Sequence, residues 1–396
     1  MKHSILVILS LILFSCSSDK AARFEITNEF DADYEDFGMA FRRSDLEKKI
    51  DIPEGKLPLA FEAGVQLPSQ ADDLDGDGRW DELFFIMDLD AGEKKGIEIE
   101  FSDPADYPDF DIRTNIRFAK KGDEYKEVDY AVRETHAENT ITQEAWQMEG
   151  IAWENEKVGF RNYFDRRNGM DIFGKLTEEM VLDEVGYKDN PGYHEFNQDW
   201  GMDVLKVGNS LGAGSIGFMY KDSIYRIGDN GEGTCEVLVE GPLRSIFRFK
   251  FTDWQMGDQV LDVTQDVMIQ AGKYYYESKV WYEGIDIPLQ LITGIVNMKS
   301  EELHEVDAGE HYKAFYTHDK QSEDGTYMAM GLKVPARAFV GTSTTPDEGA
   351  GITQTYCVHL NVKPERPVSY RFYTAWEMED AKWKDSESFE ELLKGI

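Results

Sequence analysis

A mainly β fold is expected for this chain, a large antiparallel β-sandwich of the supersandwich type with a smaller β domain before it. Three observations lead there: apolar and polar residues alternate through much of the sequence, Gly, Asp and Asn cluster between the alternating runs, and helical periodicity is scarce. In "RSIFRFKFTDW", Phe247, Phe249 and Phe251 fall on one face and Arg248 and Lys250 on the other. In "YYYESKVWYEG", Tyr274, Tyr276, Val280 and Tyr282 share a side. Successive side chains of a strand point to opposite faces, so period-two runs fit half-buried strands. One short helix is expected in "SFEELLKGI", where Ser388 and Glu391 can form a capping box. The 396 residues, 41% hydrophobic, suffice for one large domain or two moderate ones, and a chain this long suits large sheets better than a small barrel.

Taken in order, the chain opens with Lys2 and His3 before the apolar run "SILVILSLILF", which is too short to cross a bilayer and has the layout of a secretory signal. It ends in Leu13-Phe14-Ser15-Cys16, which resembles the lipobox of bacterial lipoproteins, where cleavage precedes a cysteine that is then acylated. Residues 1–15 are therefore read as a lipoprotein signal peptide and Cys16 as the lipidation site. The expected location is the bacterial cell envelope, at the outer membrane facing the periplasm, with membrane contact only through the anchor. Residues 22–135 are read as the N-terminal β domain and 136–396 as the large sandwich. Cys235 and Cys357 remain, and spacing alone leaves open whether they meet. The formal charge of −35 excludes nucleic acid as a partner, since that polyanion requires a broad basic face.

Within the first domain, "DDLDGDGRWDE" places Asp73, Asp75, Asp77 and Asp81 at a one-three-five-nine spacing with Gly78 sixth. Like charges crowd in this way when they splay into solvent or converge on a cation, and calcium, with its six to eight oxygen ligands, suits alternating acids in a glycine-bearing turn. The twelfth place is Phe84, where an EF-hand needs a bidentate Glu, and "ELFFIMDLD" reads as a strand. The expectation is a structural calcium turn that pins a hairpin, with a solvated acidic turn as the alternative.

Residues 150–215 break the alternating pattern and gather Trp, Tyr, Arg, His and Gly, the composition of a site borne on a β scaffold. Arg161, Arg166, Arg167 and Lys175 fall within fifteen residues, the local positive charge that an acidic ligand needs in so acidic a chain. Asp165, Glu154 and Asp171 offer the alternative that these cations serve structural ion pairs. Tyr193 and His194 supply proton-transfer groups, and Trp153 and Trp200 could stack on sugar rings. His311 and His318 could approach from another strand, whereas His359 lies in an alternating run and reads as structural. "GNSLGAGSIG" lacks the form of a phosphate loop, no GxSxG elbow is present, and no organic cofactor is expected.

The stretches "PSQADDLDGDGRWDEL", "WENEKVGFRNYFDRRNGMDIFGK", "GYHEFNQDWGMDVLKVGNSLGAG" and "FYTAWE" together resemble the bacterial polysaccharide-utilisation lipoproteins grouped as domain of unknown function 4861, a family that includes an ulvan oligosaccharide dehydratase. That resemblance implies a role in degrading sulfated or uronate-rich algal polysaccharide. Dehydration of a non-reducing-end uronic acid removes the C5 proton and the C4 hydroxyl to leave a 4,5-unsaturated sugar, and needs a cation, a base and an acid. Arg161, with Arg166 or Arg167, is the expected cation, His194 the base, and Tyr193 or Lys175 the acid. A polysaccharide lyase and a tethered, non-catalytic glycan-binding protein remain open at this point.

Overall fold

The computed structural model describes residues 22–30, 32–133, 145–188, 192–195, 199–228 and 230–395. Residues 1–15 and Cys16 lie outside them. Among the described residues no helix is long and apolar enough to cross a membrane. The chain forms two compact units.

The first unit runs to Thr114 and takes in residues 238–245 and 270–272. It contains a four-stranded sheet (Ala22–Thr27, Lys94–Ser102, Leu57–Glu62, Val65–Gln66) and a three-stranded one (Tyr34–Arg42, Glu82–Leu89, Ser69–Asp72). Phe24, Ile26, Trp80, Leu83, Phe85, Ile97 and Ile99 form its core. The boundary expected from the sequence, at residue 135, lies within a stretch outside the described residues. The division falls instead after Thr114, because Thr114–Arg117 is hydrogen-bonded into a sheet of the second unit and Tyr130–Arg133 pairs with Glu232–Glu240.

In the second unit a nine-stranded antiparallel sheet runs in the order Tyr130–Arg133, Glu232–Glu240, Arg244–Met256, Gln259–Gln270, Tyr275–Glu283, Val368–Trp376, Met328–Pro335, Tyr312–Asp319, His304–Val306. One five-stranded sheet is built from Gly201–Asp203, Met170–Lys175, Gly159–Asn162, Ala152–Asn155 and Thr114–Arg117, and another from Ser223–Arg226, Ala213–Tyr220, Leu289–Val296, Thr355–Val362 and Phe339–Thr344. All three sheets feed one apolar core, so the expected mainly β sandwich is what forms. The alternation in Arg244–Met256 works as expected: Phe247, Phe249 and Phe251 are buried, while Arg248 reaches Asp266 on the next strand at 2.6 Å.

The C-terminal helix spans Ser386–Lys394 and lays Phe389 and Leu393 on Tyr275, Tyr316 and Tyr373 of the nine-stranded sheet. It begins two residues before Ser388. Its cap is Asp385, whose carboxylate accepts the Glu387 N–H at 3.1 Å, and an acceptor placed there satisfies an amide that the helix cannot. Cys235 and Cys357 are both buried and unbonded, in different sheets. Burial pushes both thiols upward, that of Cys357 to about 12, which keeps them protonated and unreactive.

Candidate active site

Four of the five strands of the sheet that contains Arg161 are buried on both faces, and this is why residues 152–175 and 201–203 show no alternation: an apolar-polar period needs one wet face. Register decides where each side chain goes. Arg161 lies opposite Ala152 and Asp171, and Phe173 opposite Asp203. Alternate positions share a face, so Glu154, Arg161, Asp171, Phe173, Lys175 and Asp203 belong to one side, while Trp153, Phe160 and Ile172 turn to the apolar core.

Arg161 is the centre of the polar side. Its side chain is almost completely buried, at 2% exposure. The guanidinium donates to Asp171 Oδ2 at 2.8 Å, Asp203 Oδ2 at 2.6 Å, Tyr163 Oη at 3.1 Å and Tyr193 Oη at 3.0 Å. Glu149 stands 3.8 Å away, and the rings of Tyr163, Phe173 and Tyr193 enclose the cation. Tyr163 also donates to Asp171 Oδ2. Burial, together with the charge of Asp203, pushes the Asp171 carboxyl up to about 7, because one guanidinium serves two buried acids and full ionisation of both is costly. Burial likewise raises the phenols of Tyr163 and Tyr193, so both stay protonated.

Asp203 links this buried cluster to the surface. The same Oδ2 that takes the Arg161 hydrogen bond lies 2.9 Å from His194 Nδ1. Its Oδ1 is buried with no hydrogen-bond partner among the described residues. The His194 side chain is 63% exposed and lies against Tyr193, the two rings tilted at 43° with centroids 4.4 Å apart. The hydrogen bond to Asp203 raises the imidazole above its ordinary value of 6.5. With Nδ1 held by the carboxylate, Nε2 is left as the proton acceptor toward solvent. Gly201 makes the placement possible: it has φ +135°, and a Cβ there would meet the Gly174 carbonyl oxygen at 1.8 Å, so only glycine lets this short strand bring Asp203 beside Phe173.

Several sequence expectations need correction. Arg161 is buried, and its Nε, Nη1 and Nη2 donate to Asp171, Tyr193, Tyr163 and Asp203 inside the protein; it positions Asp203 instead of gripping a sugar acid. Lys175 sits four residues along the strand from Asp171, about 13 Å at about 3.3 Å per residue. Its ammonium group donates to Glu154 Oε2 at 2.6 Å, the Asn155 carbonyl at 2.8 Å and the Glu179 carbonyl at 2.7 Å. Three donors with three partners leave none for a substrate. Burial draws its pKa below the usual lysine range, with Glu154 opposing. Trp153 is fully buried among Phe160, Phe247 and Tyr276, and Trp200 is buried against Phe173, so neither offers a face to a sugar. Arg167 lies 3.9 Å over the Tyr163 ring and pairs with Asp165 at 2.6 Å. Structural ion pairing, the alternative weighed for these cations, therefore holds for Arg161, Arg167 and Lys175. Arg166, in the same hairpin, is exposed. His318 bonds the Trp383 carbonyl at 2.9 Å and His359 bonds Ser343 Oγ at 2.7 Å, both away from His194. No sequence expectation includes Asp203, Tyr163 or Glu149, because they meet Arg161 only in the folded chain and no local spacing announces them.

In the first unit the acidic turn does close a hairpin, between Asp72 and its partner Glu82. One oxygen each from Asp73, Asp75 and Asp81 lies within 4.8 Å of the others. Asp77 stands outside that set and accepts the Arg79 N–H at 2.8 Å. Oxygens on one calcium ion, each about 2.3–2.6 Å from it, span such a distance, so three of the four expected ligands fit.

Residues 26–396 match the family model described as domain of unknown function DUF4861. No curated protein matches. Among solved structures, an α-mannosidase from Enterococcus faecalis aligns at 9% identity and TM-score 0.37, over 94% of this chain and 45% of its own. A glycosyl hydrolase family 38 protein from the same organism aligns at 9% and 0.39, over 95% and 47%. A putative aldose 1-epimerase from Klebsiella pneumoniae aligns at 9% and 0.33, over 71% and 96%. The chain thus spans less than half the length of the two Enterococcus proteins.

Proposed function

The chain belongs to the DUF4861 family, and from that premise and the contact series Arg161–Asp203–His194 we propose that it is a lyase-class enzyme, a hydro-lyase that removes water from the non-reducing-end uronic acid of ulvan or related acidic oligosaccharides. The observation that carries the proposal is Asp203 Oδ2 joining the exposed imidazole to a buried guanidinium. A merely structural His has no need of a raised basicity and a fixed tautomer at the surface.

In this reading His194 Nε2 takes the C5 proton of the sugar acid, and the electron pair released forms the C4=C5 double bond as the C4–O bond breaks. Tyr193, kept protonated by burial and adjacent to His194, gives its proton to the departing hydroxyl, which leaves as water. The hydrogen bond from Arg161 Nη1 holds the resulting phenolate until it is reprotonated. Because Arg161 and Lys175 are committed internally, the charge on the sugar carboxylate falls to Arg166. We further propose that calcium bound by Asp73, Asp75 and Asp81 pins the hairpin, and that acylation at Cys16 tethers the protein to the outer membrane.

The test is mass measurement after incubation with oligosaccharides ending in a saturated uronic acid. Loss of one water mass with a rise in ultraviolet absorbance is expected; chain shortening would make the enzyme a lyase or hydrolase, and an unchanged mass would leave a glycan-binding protein. His194→Ala should abolish the absorbance rise while leaving the melting temperature nearly unchanged, since its side chain is largely exposed.

A further inference from the structure

The nine-stranded sheet carries a second polar patch on the face that the C-terminal helix partly covers. Tyr275 lies opposite Tyr373, and both pack beneath that helix. Two residues further along the same face, Glu277 lies opposite Arg371 and Arg371 opposite Lys333; the next row has Lys279 opposite Ser369. The helix ends at Lys394, and Lys333 Nζ there donates to the Leu393 carbonyl at 2.9 Å and to that of Gly395. Beyond the helix end the sheet face opens into a cavity of about 830 Å³.

The lining is unlike the rest of this molecule. Lys279, Lys333, Arg337, Lys363, Arg366 and Arg371 face Glu277 and Glu310, an excess of positive charge in a chain with a net charge of −35. Of the two acids, Glu277 is already engaged by Arg371 Nε at 3.2 Å. Arg371 Nη1 is buried without a well-formed hydrogen bond among the described residues, the Tyr373 phenol being its neutral neighbour, so it keeps donor capacity for an anion. Burial and the neighbouring Arg371 also push Lys333 down to about 7, and an anion in the cavity would relieve that strain. The volume exceeds what a simple inorganic anion fills and lies within the range of sites for larger organic ligands.

We infer that this cavity is a second binding site, separate from His194, for an oligosaccharide bearing carboxylate or sulfate groups. The choice of a sugar chain as the bearer of those anions rests on the function proposed above; the anionic chemistry rests on the cavity alone. Exposed Arg337, Lys363 and Arg366 would meet outer anionic groups, and Arg371 with Lys333 the innermost one, the planar guanidinium pairing its N–H groups with a carboxylate or sulfate. Such a site would keep a multiply charged chain on the protein while one end reacts.

Titration calorimetry on the full chain tests this, with a saturated uronate tetrasaccharide, its carboxyl-reduced counterpart and inorganic sulfate as probes. The tetrasaccharide should bind at two sites per chain, with one weakening as salt rises. Lys363→Glu with Arg366→Glu, both exposed, should weaken that site at least about tenfold while water loss from a disaccharide proceeds unchanged; Arg371→Gln should weaken it similarly. Unaltered affinity in both variants, equal binding of the reduced sugar, or sulfate binding as tightly as the tetrasaccharide would overturn the inference. So would loss of disaccharide turnover in a variant that melts normally, since the chemistry would then lie in this cavity. Charge-dependent binding by a protein that never removes water would uphold the site and sink only the proposed function.

Discussion

Replacing Asp203 with Asn separates charge from shape at the joint of the candidate site. Asn keeps the volume and one oxygen acceptor but removes the negative charge that stands 2.9 Å from His194 Nδ1 and 2.6 Å from Arg161 Nη2. The guanidinium is not orphaned, because Asp171 still holds it at 2.8 Å. The stability cost should therefore be about 1–3 kcal/mol, the range for a perturbed buried hydrogen bond, and not the about 3–5 kcal/mol of a stranded buried charge. Activity should suffer far more. A positioned base contributes about 10²–10⁴-fold, and an imidazole without its orienting carboxylate should forfeit about the lower of these factors. The pH profile gives the sharper readout. His194 must be neutral to accept a proton, and the hydrogen bond it donates to Asp203 is the largest influence raising its pKa above 6.5, ahead of desolvation and of Arg161, which lower it. The acid limb of the wild-type rate should thus lie above 6.5 and move to lower pH in Asp203→Asn. Stopped or continuous ultraviolet assays of kcat against pH, alongside urea unfolding, measure both. An acid limb that stays in place while turnover is undiminished would refute the assignment of His194 as base.

Other perturbations read the surroundings. Lys175→Met should cost about 3–5 kcal/mol, since Glu154 is left buried and unpaired, and adding Glu154→Gln should recover much of it because Gln can still accept from Val181 and Leu182; urea midpoints decide, and a single variant as stable as wild type would contradict the pairing. Asp171, raised from 3.8 to about 7, binds its proton more tightly when folded, so it contributes stability that is complete below about pH 4 and is lost as pH rises through about 7; in Asp171→Asn that decline should flatten, as followed by melting temperature across the window. Calcium should raise the melting temperature of the wild type and leave that of Asp73→Asn/Asp75→Asn unmoved, with a chelator reversing the shift; equal response in both proteins would remove the proposed ion from the hairpin.

What the sequence disclosed follows from which faces are wet. Strands of the nine-stranded sheet such as Arg244–Met256 alternate visibly because one side packs and the other is partly solvated. Ala152–Asn155, Gly159–Asn162 and Met170–Lys175 are buried throughout, so no apolar-polar alternation marks them as strands. Unusual polar residues in a buried sheet and in a binding loop share a composition, so composition alone does not tell the two apart. Nor does it assign roles. Trp153 faces the core because it is one residue out of step with Glu154, and Lys175 belongs to a separate ion pair because four strand residues carry it past Phe173. Arg161 and His194, thirty-three positions apart, meet only because Asp203 is placed across two strand pairings. No spacing rule contains that information.

The charge balance of the cluster then constrains how an acidic sugar can approach it. Arg161 carries one positive charge against two carboxylates, and Glu149 adds a third acid within 3.8 Å. Fully ionised, such a group would repel a uronate. The upward push on Asp171 means that near neutral pH it is partly protonated, which brings the cluster closer to neutrality without removing the charge on Asp203 that His194 requires. Arg suits this post better than Lys: its planar fork spans Asp171, Asp203 and both phenols at once, whereas an ammonium group has three donors and no fixed plane. The buried cation is thus consumed in tuning the base, and attraction of the substrate has to come from cations that remain exposed. That is why the proposed mechanism turns to exposed Arg166, and the proposed second site to the exposed cations of the cavity on the nine-stranded sheet.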